Sequence, residues 1–125
     1  MSELSDDTVL YRAIRKKGWI DPDTREVDAE AFLLRPQERG LSANLTPEST
    51  YRRLKKCYGV ICFSVADLRH LGLNALQDSE FHVTIVNLPD PQQDRKAALD
   101  LAIQLARKSQ LYLDWLDRPY RDERS

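Results

Sequence analysis

The chain contains few of the residues from which metal and redox sites are built. It has two cysteines, Cys57 and Cys62, which do not form a CxxC motif, and two histidines, His70 and His82. Zinc and redox sites need more such ligands at defined spacings, so we expect no metal. The interpretation we favour is two reduced, mostly buried thiols in a cytosolic protein.

The chain also lacks an excess of either charge and any long apolar run. Its 19 lysines and arginines nearly balance its 20 aspartates and glutamates, for a formal net charge of −1. This balance gives no general attraction to nucleic acid or to a membrane surface. No apolar run approaches the roughly 18 residues of a membrane span, and residues 1–7 are too acidic for a signal peptide. We therefore predict a cytoplasmic protein that does not bind membranes.

Common catalytic motifs are absent as well. The sequence contains no GxGxxG, Walker, HExxH or GxSxG pattern. Motifs alone therefore indicate no enzymatic activity, and the question of catalysis stays open.

The length and composition are those of one globular domain. The 125 residues are 42% hydrophobic and 31% charged, which is ordinary usage. We predict a flexible N-terminus over residues 1–8, one domain over residues 9–116 and a charged flexible tail over residues 117–125.

Residues 58–88 are the stretch around which we expect the fold to be organised. Val60–Val65 is almost continuously apolar and predicts a buried central strand. Ser64 and Asp67 have the spacing of a capping box, which predicts a short helix ending at Gly72. Residues 73–77 are a possible connecting strand, and residues 81–88 alternate in polarity as a half-buried strand does.

Two earlier segments also have strand character. Residues 9–14 predict a strand in which Arg12 shares a face with Leu10 and Ile14, so Arg12 either extends to solvent or is held by a buried acceptor. Residues 41–45 predict a strand with Ser42 and Asn44 on the face opposite the apolar residues. Residues 28–35 are ambiguous, because Asp28 could cap a short helical turn or residues 31–35 could form a strand that Pro36 stops. We predict a brief turn and then the strand.

Capping residues predict two further helices. Thr46 and Pro47 predict a helix that starts there and runs to about Lys56. Asp90 and Pro91 predict the start of the longest helix, and residues 111–116 predict a last, edge strand. These elements indicate an α+β fold: a single compact domain with a mixed or antiparallel sheet of about five to six strands and two to three helices.

Polar groups on or beside the predicted strands suggest a ligand site. They are Arg12, Arg35, Arg39, Ser42 and His82. If they converge, arginine supplies forked donors to a phosphate or carboxylate, so the ligand would be anionic. The alternative, which we favour at this point, is that Arg35 and Arg39 are solvated loop residues, Ser42 is an edge-strand hydroxyl and His82 is a strand histidine with satisfied hydrogen bonds.

A second basic cluster follows Thr46. Arg52, Arg53, Lys55 and Lys56 could form a nucleic-acid patch. Few aromatic residues are interleaved with them, so a solvated basic helix face is the better interpretation.

Several short segments carry a resemblance to known proteins. The segments Leu10–Ile14, Ala31–Pro36 with Gly40–Ser42, Tyr58–Val60, and Phe81–Ile85 resemble a widespread group of small uncharacterised bacterial proteins. The resemblance covers most of residues 9–90 and implies no particular activity.

A thinner similarity is to ADP-ribosyltransferase-type toxins, including the RES-domain kind. That family places an arginine on the first strand, a serine on a later strand and a glutamate near the end. Arg12, Ser42 and Glu80 fit this order, which implies an NAD-using transferase. Arg12 and Ser42 would then hold NAD, while Glu80 or His82 would act in catalysis.

Three functional hypotheses follow from the sequence. The leading one is a small cytosolic bacterial accessory domain that acts by binding a protein partner or a larger complex, with a homo-oligomer as another expected assembly. The alternatives are the NAD-dependent ADP-ribosyltransferase, which alone would need a cofactor, and a nucleic-acid-binding protein.

Overall fold

The computed structural model describes residues 2–122, so Met1 and residues 123–125, parts of the predicted flexible N-terminus and tail, lie outside the described residues. Strands within the described part are β1 (Ser2–Glu3), β2 (Val9–Ala13), β3 (Leu41–Asn44), β4 (Lys56–Cys57), β5 (Gly59–Ser64), β6 (Asn74–Gln77), β7 (His82–Val86), β8 (Gln110–Asp114) and β9 (Tyr120–Arg121). Seven of them form one sheet in the order β1-β6-β7-β3-β2-β5-β8, and β4 pairs with β9 separately. Every pairing is antiparallel.

Helices cover one face of the sheet. They are α2 (Val65–His70), α3 (Arg95–Lys108) and two 3₁₀ helices at Lys17–Trp19 and Ala29–Phe32. The main core lies between these helices and the inward-facing side chains of the sheet. Phe32, Ile61, Leu68, Ile85 and Leu105 are all buried there. Each such side chain stabilises the fold by about 1.5–3 kcal/mol, so this core supplies most of the driving force.

The opposite face of the sheet is only partly covered. Helix α1 (Pro47–Tyr51) and the β4–β9 pair pack on it around a small buried cluster that includes Cys57 and Val60. The rings of Tyr51, Trp115 and Tyr120 contact one another at centroid distances of 4.8–5.4 Å. The rest of this face remains accessible, and the candidate site lies on it.

The predicted α+β fold is confirmed, with three α-helices and an antiparallel sheet. The sheet has one strand more than predicted because Ser2–Glu3 pairs with β6 at one edge. The capping box of α2 is present: Ser64 Oγ accepts from the Asp67 backbone N–H at 3.1 Å, and Asp67 Oδ2 accepts from the Ser64 N–H at 3.3 Å. β8 lies at the other edge of the sheet, as predicted.

The stretch of residues 58–88 does not form a contiguous unit in the sheet. β5 and β7 are separated by β2 and β3, which come from residues 9–44. β5 therefore pairs with β2, and β7 pairs with β3. This arrangement places Arg12 and Ser42 in the middle of the sheet.

The predicted strand at residues 31–35 is wrong. Residues 29–32 form a 3₁₀ helix instead, because Asp28 Oδ1 accepts from the Glu30 backbone N–H at 2.8 Å and caps it. Ala31 and Phe32 are then buried in the core from a helical turn rather than from a strand.

The predicted bounds of two helices are also wrong. α1 begins at Pro47 with Thr46 as its cap, as predicted, but ends at Tyr51 because residues 56–57 must be extended to pair with β9. α3 begins at Arg95, and its cap is Asp94, whose Oδ1 accepts from the Ala97 N–H at 3.0 Å. Asp90 caps a preceding turn instead, accepting from the Gln92 N–H at 2.9 Å.

The predicted tail begins as an ordered segment in this structure. Residues 120–121 form β9, and Tyr120 stacks on Trp115 at a centroid distance of 5.4 Å. None of the helices formed by residues 2–122 has the length and apolar character that crossing a membrane requires.

Candidate functional site

The candidate site lies where β2 and β3 separate. These strands pair at Tyr11 and Asn44, and no further register pair continues the ladder between them within the described residues. The side chain of Arg12 bridges the gap. Its Nε donates to the Ala31 carbonyl at 2.9 Å and its Nη1 donates to the Ser42 carbonyl at 2.7 Å. The two hydrogen bonds of Arg12 therefore replace part of the missing ladder and link β3 to the 3₁₀ helix at Ala29–Phe32.

Arg12 also retains its positive charge. Its guanidinium carbon lies 5.7 Å from the centre of the Trp19 ring, a distance at which a cation is attracted to an indole face. Burial lowers the pKa of Arg12 to about 10, and the nearby Glu38 carboxylate opposes that effect. The guanidinium group is consequently protonated at neutral pH, so it contributes a fixed positive charge beside Ser42.

A polar cleft of about 160 Å³ opens at this gap. Four of the residues singled out in the sequence line it together: Arg12, Arg35, Ser42 and His82. Glu80 does not line the cleft and lies exposed in the connection between β6 and β7. The structure thus brings together Arg12, Arg35, Ser42 and His82, and Arg39 and Glu80 do not line the cleft.

The cleft is rich in positive charge. Its walls carry four arginines (Arg12, Arg15, Arg35 and Arg53) and one glutamate, Glu38. Glu38 Oε1 accepts from the backbone N–H of Arg35 at 2.6 Å. Over residues 2–122, no ion pair within 4.0 Å involves Arg15, Arg35 or Arg53. The guanidinium groups are therefore free to bind an anion, for which their forked donors are well suited.

A chain of hydrogen bonds runs along the wall formed by β3 and β7. Ser42 Oγ lies 2.6 Å from His82 Nε2, and His82 Nδ1 lies 2.5 Å from Asp78 Oδ1. Thr84 Oγ1 donates to the other carboxylate oxygen of Asp78 at 2.6 Å. The register explains the contacts, because Ser42 is opposite Thr84 and Asn44 is opposite His82 on one face of the sheet.

The ionised carboxylate of Asp78 decides which groups donate and which accept in the Ser42–His82–Asp78 hydrogen bonds. The hydrogen bond from Thr84 lowers the pKa of Asp78, and the bond with His82 lowers it further. Asp78 is thus an acceptor, so His82 Nδ1 carries the proton and donates. In a neutral imidazole ring with this tautomer, Nε2 is the acceptor for the Ser42 hydroxyl proton. This is the order of a serine–histidine–aspartate unit.

Asn44 adds an unpaired polar group to the cleft. Its side chain is 8% exposed, and its Oδ1 atom has no hydrogen-bond partner among the described residues. The neighbouring buried residue Thr50 differs, since its hydroxyl donates to the Thr46 carbonyl at 2.8 Å. An unpaired buried acceptor costs roughly 1–3 kcal/mol, and a ligand that donates a hydrogen bond to Asn44 would recover it.

Asp78 is the principal residue that the sequence reasoning missed. Its backbone N–H donates to the His82 carbonyl at 3.1 Å across the β6–β7 connection. Two strands joined by a short connection bring residues i and i+4 together, so the spacing of Asp78 and His82 was a usable signal. Alternation along β3 already placed Asn44 on the face of Ser42. The sequence held no comparable signal that Arg15 or Arg53 would line the cleft.

The basic cluster after Thr46 does not form one helical face, because α1 ends at Tyr51. Arg53 turns into the cleft, whereas Lys56 lies over the Tyr58 ring with Nζ 5.0 Å from its centre. Arg52 and Lys55 are exposed to solvent.

Residues 2–122 contain no cluster of three or more histidine, cysteine, aspartate or glutamate side chains arranged to hold a metal ion. Comparisons of the chain with protein-family models, with curated proteins and with solved structures found no match.

Proposed function

We propose that the protein binds a small anionic ligand in the cleft between β2, β3 and α1. The single observation that supports this most is the set of three arginines, Arg15, Arg35 and Arg53, which line one cleft without a carboxylate partner among the described residues. Like charges at close range repel, and an anion relieves that repulsion. The ligand would carry a phosphate or carboxylate group.

Asn44 narrows the chemistry of the ligand. A hydrogen-bond donor on the ligand, such as a hydroxyl or amide group, would satisfy its unpaired Oδ1 atom. A phosphate ester of a sugar, or a hydroxylated carboxylate, combines such a donor with a negative charge. We therefore expect the ligand to carry a hydrogen-bond donor and an anionic group close to each other.

The size of the cleft limits how much of the ligand is enclosed. Its volume of about 160 Å³ is smaller than the roughly 300–1,000 Å³ typical of sites for drug-sized molecules. A phosphate or a sugar phosphate would fit, whereas most of a dinucleotide would lie outside. Under the ADP-ribosyltransferase hypothesis, only one portion of NAD, such as a phosphate with its ribose, would thus lie inside the cleft.

Thermal unfolding with a ligand panel tests the proposal. The panel consists of inorganic phosphate, ribose 5-phosphate, citrate and NAD at millimolar concentration. A ligand present at about 100 times its Kd stabilises the folded state by about 2.7 kcal/mol, which is a readily measured rise in Tm. We expect a rise with the phosphorylated sugar that falls as salt is added.

Two variants make this experiment specific. Arg35→Gln removes a cleft arginine and should weaken binding by at least about tenfold, since a hydrogen bond to a charged group contributes roughly 1.5–3 kcal/mol. Arg107→Gln, an exposed arginine on α3 outside the cleft, is the matched control and should bind as the unmodified chain does. No rise with any member of the panel, or equal rises in both variants, would contradict the proposal.

A protein partner or a second copy of the chain is a second candidate, favoured by exposed apolar side chains on the same sheet face. Tyr112 is 53% exposed on the edge strand β8, and Val9 is 42% exposed on β2. Tyr11 contacts Tyr112 with ring centroids 5.3 Å apart. Sedimentation at increasing concentration should reveal self-association that Tyr112→Ser reduces. A constant mass of 14.5 kDa would exclude the homo-oligomer.

A further inference from the structure

We propose that Ser42 is a catalytic nucleophile activated by His82, and that the protein transfers the acyl group of negatively charged carboxylic esters. This inference rests on the proposed function, because the arginines that bind the anion would also select the ester. Its structural basis is the Ser42–His82–Asp78 chain, with contacts of 2.6 and 2.5 Å.

The geometry meets the requirements for an activated serine. Nucleophile and base must lie within about 2.6–3.2 Å, and a third group must orient the base. His82 Nε2 meets the first requirement, and Asp78, itself anchored by Thr84, meets the second. Ser42 is exposed, so its hydroxyl is reachable from the cleft.

The surroundings of Ser42 favour the charge that develops in the reaction. The guanidinium group of Arg12 is fixed 2.7 Å from the backbone carbonyl oxygen of Ser42 itself. This positive charge beside the Ser42 backbone would favour the negative charge that develops in the transition state. Arg35 and Arg53 lie on the same cleft and would hold a separate carboxylate or phosphate group of the ester.

The acylation step transfers one proton through His82. Ser42 Oγ forms a bond to the ester carbonyl carbon while its proton moves to His82 Nε2, and the carbonyl π electrons move to the oxygen. The tetrahedral species then breaks the bond to the alcohol oxygen, which leaves with the proton from His82. The products are the free alcohol and acyl-Ser42.

Water completes the turnover. It attacks the acyl carbon and gives a proton to His82 Nε2, after which the bond to Ser42 Oγ breaks and Ser42 takes that proton back. The carboxylic acid is released and ionises. Asp78 touches no reacting atom, so it is a positioning residue that keeps the His82 proton on Nδ1 and stabilises the imidazolium form.

The test uses three chromogenic probes on the full chain. They are the mono-4-nitrophenyl ester of glutaric acid, which is anionic, 4-nitrophenyl acetate, which is neutral, and 4-nitrophenyl phosphate. We expect a burst of nitrophenolate of about one equivalent with the anionic ester, at least about tenfold faster than with the acetate. Intact mass and peptide mapping should place the glutaryl group on Ser42.

Variants separate the roles of the residues. Ser42→Ala should abolish the burst and the adduct, while Ser109→Ala, a serine outside the cleft at the end of α3, should leave both unchanged. His82→Gln should slow acylation by at least about 100-fold. Asp78→Asn should lower the acylation rate constant by a similar factor while leaving the half-saturating ester concentration unchanged, which a general loosening of the site would not do.

The outcomes distinguish this inference from the proposed function. If an anion of the thermal-unfolding panel raises Tm but no ester acylates Ser42, the nucleophile is refuted and anion binding stands. If both esters acylate Ser42 at equal rates and no anion raises Tm, the anionic substrate class and the binding proposal are refuted. An adduct that persists in Ser42→Ala, or nitrophenolate released only from the phosphate, overturns the acyl-transfer mechanism. Ser42→Cys, checked for folding by circular dichroism, keeps a nucleophile in place and should still form the adduct.

Discussion

The guanidinium group of Arg12 and the backbone carbonyl of Ser42 are joined by a 2.7 Å hydrogen bond at the point where β2 and β3 separate. A side chain thereby performs the function of a backbone ladder bond. The same contact positions a cation beside the proposed nucleophile, so the stability of the sheet and the electrostatics of the cleft depend on one residue.

Replacing Arg12 should therefore destabilise the fold. Arg12→Met leaves the carbonyls of Ala31 and Ser42 without their donor, and we expect a loss of about 2–4 kcal/mol in the free energy of unfolding. Arg15→Met, at an exposed position three residues on, should change stability by less than about 0.5 kcal/mol. Urea unfolding measures both, and equal losses in the two variants would contradict the bridging role.

Gly40 should not tolerate a side chain, because β3 begins directly against β7. A Cβ atom there would lie 2.6 Å from the Ile85 carbonyl oxygen and 2.6 Å from Thr84 Cγ2. Gly40→Ala should cost about 1–3 kcal/mol through the forced shift of β3. Gly18→Ala, where a Cβ meets nothing within 4 Å, is the control and should be neutral or slightly stabilising. Thermal unfolding of the pair checks this, and a neutral Gly40→Ala would show that β3 can move.

The carboxyl group of Asp78 should titrate below its ordinary range, mainly because Thr84 donates to it and then because of His82. Since its pKa is lower in the folded state, Asp78 contributes stability above the unfolded value of about 3.9, and that contribution is lost as the pH falls through the folded value. Thr84→Val should raise the pKa of Asp78 and reduce the loss of stability in acid. Carbon-13 NMR titration measures the pKa directly.

Thr24→Val serves as the control for that titration. Thr24 lies in the turn after Asp21 and contacts that carboxylate rather than Asp78. Its replacement should leave the titration of Asp78 unchanged. An unshifted Asp78 in Thr84→Val would show that this hydrogen bond does not form in solution.

The two thiols should differ in reactivity. Cys57 is fully buried, its Sγ donates to the Gly59 carbonyl at 3.0 Å, and burial raises its pKa. Burial also raises the pKa of Cys62, which is partly exposed. Because the thiolate is the reacting form, iodoacetamide at neutral pH should label Cys62 slowly and Cys57 only after unfolding. Peptide mapping resolves the two sites, and early labelling of Cys57 would contradict the buried β4.

The caps at Thr46 and Ser64 were predicted correctly because neighbouring residues decide them, whereas the equally local caps at Asp28 and Asp94 were not. The Thr46 cap and the Ser64–Asp67 capping box each involve residues within three positions, so their signals are short and unambiguous. The C-terminal end of α1 was predicted wrongly, at about Lys56 instead of Tyr51. α1 stops early because β9, about 65 residues further along the chain, pairs with residues 56–57 and holds them extended.

The site was partly predictable for the same reason. Alternation along a strand is a local property with a period of two, so the sequence alone placed Ser42 and Asn44 on one face of β3, and Arg12 beside Leu10 on one face of β2. Only the tertiary structure decided that β3 lies between β2 and β7. That order brings Ser42 to His82 and Arg12 across distances of 40 and 30 residues in the chain. Pairing of this kind depends on the burial of the whole sheet against its helices, which no local pattern encodes.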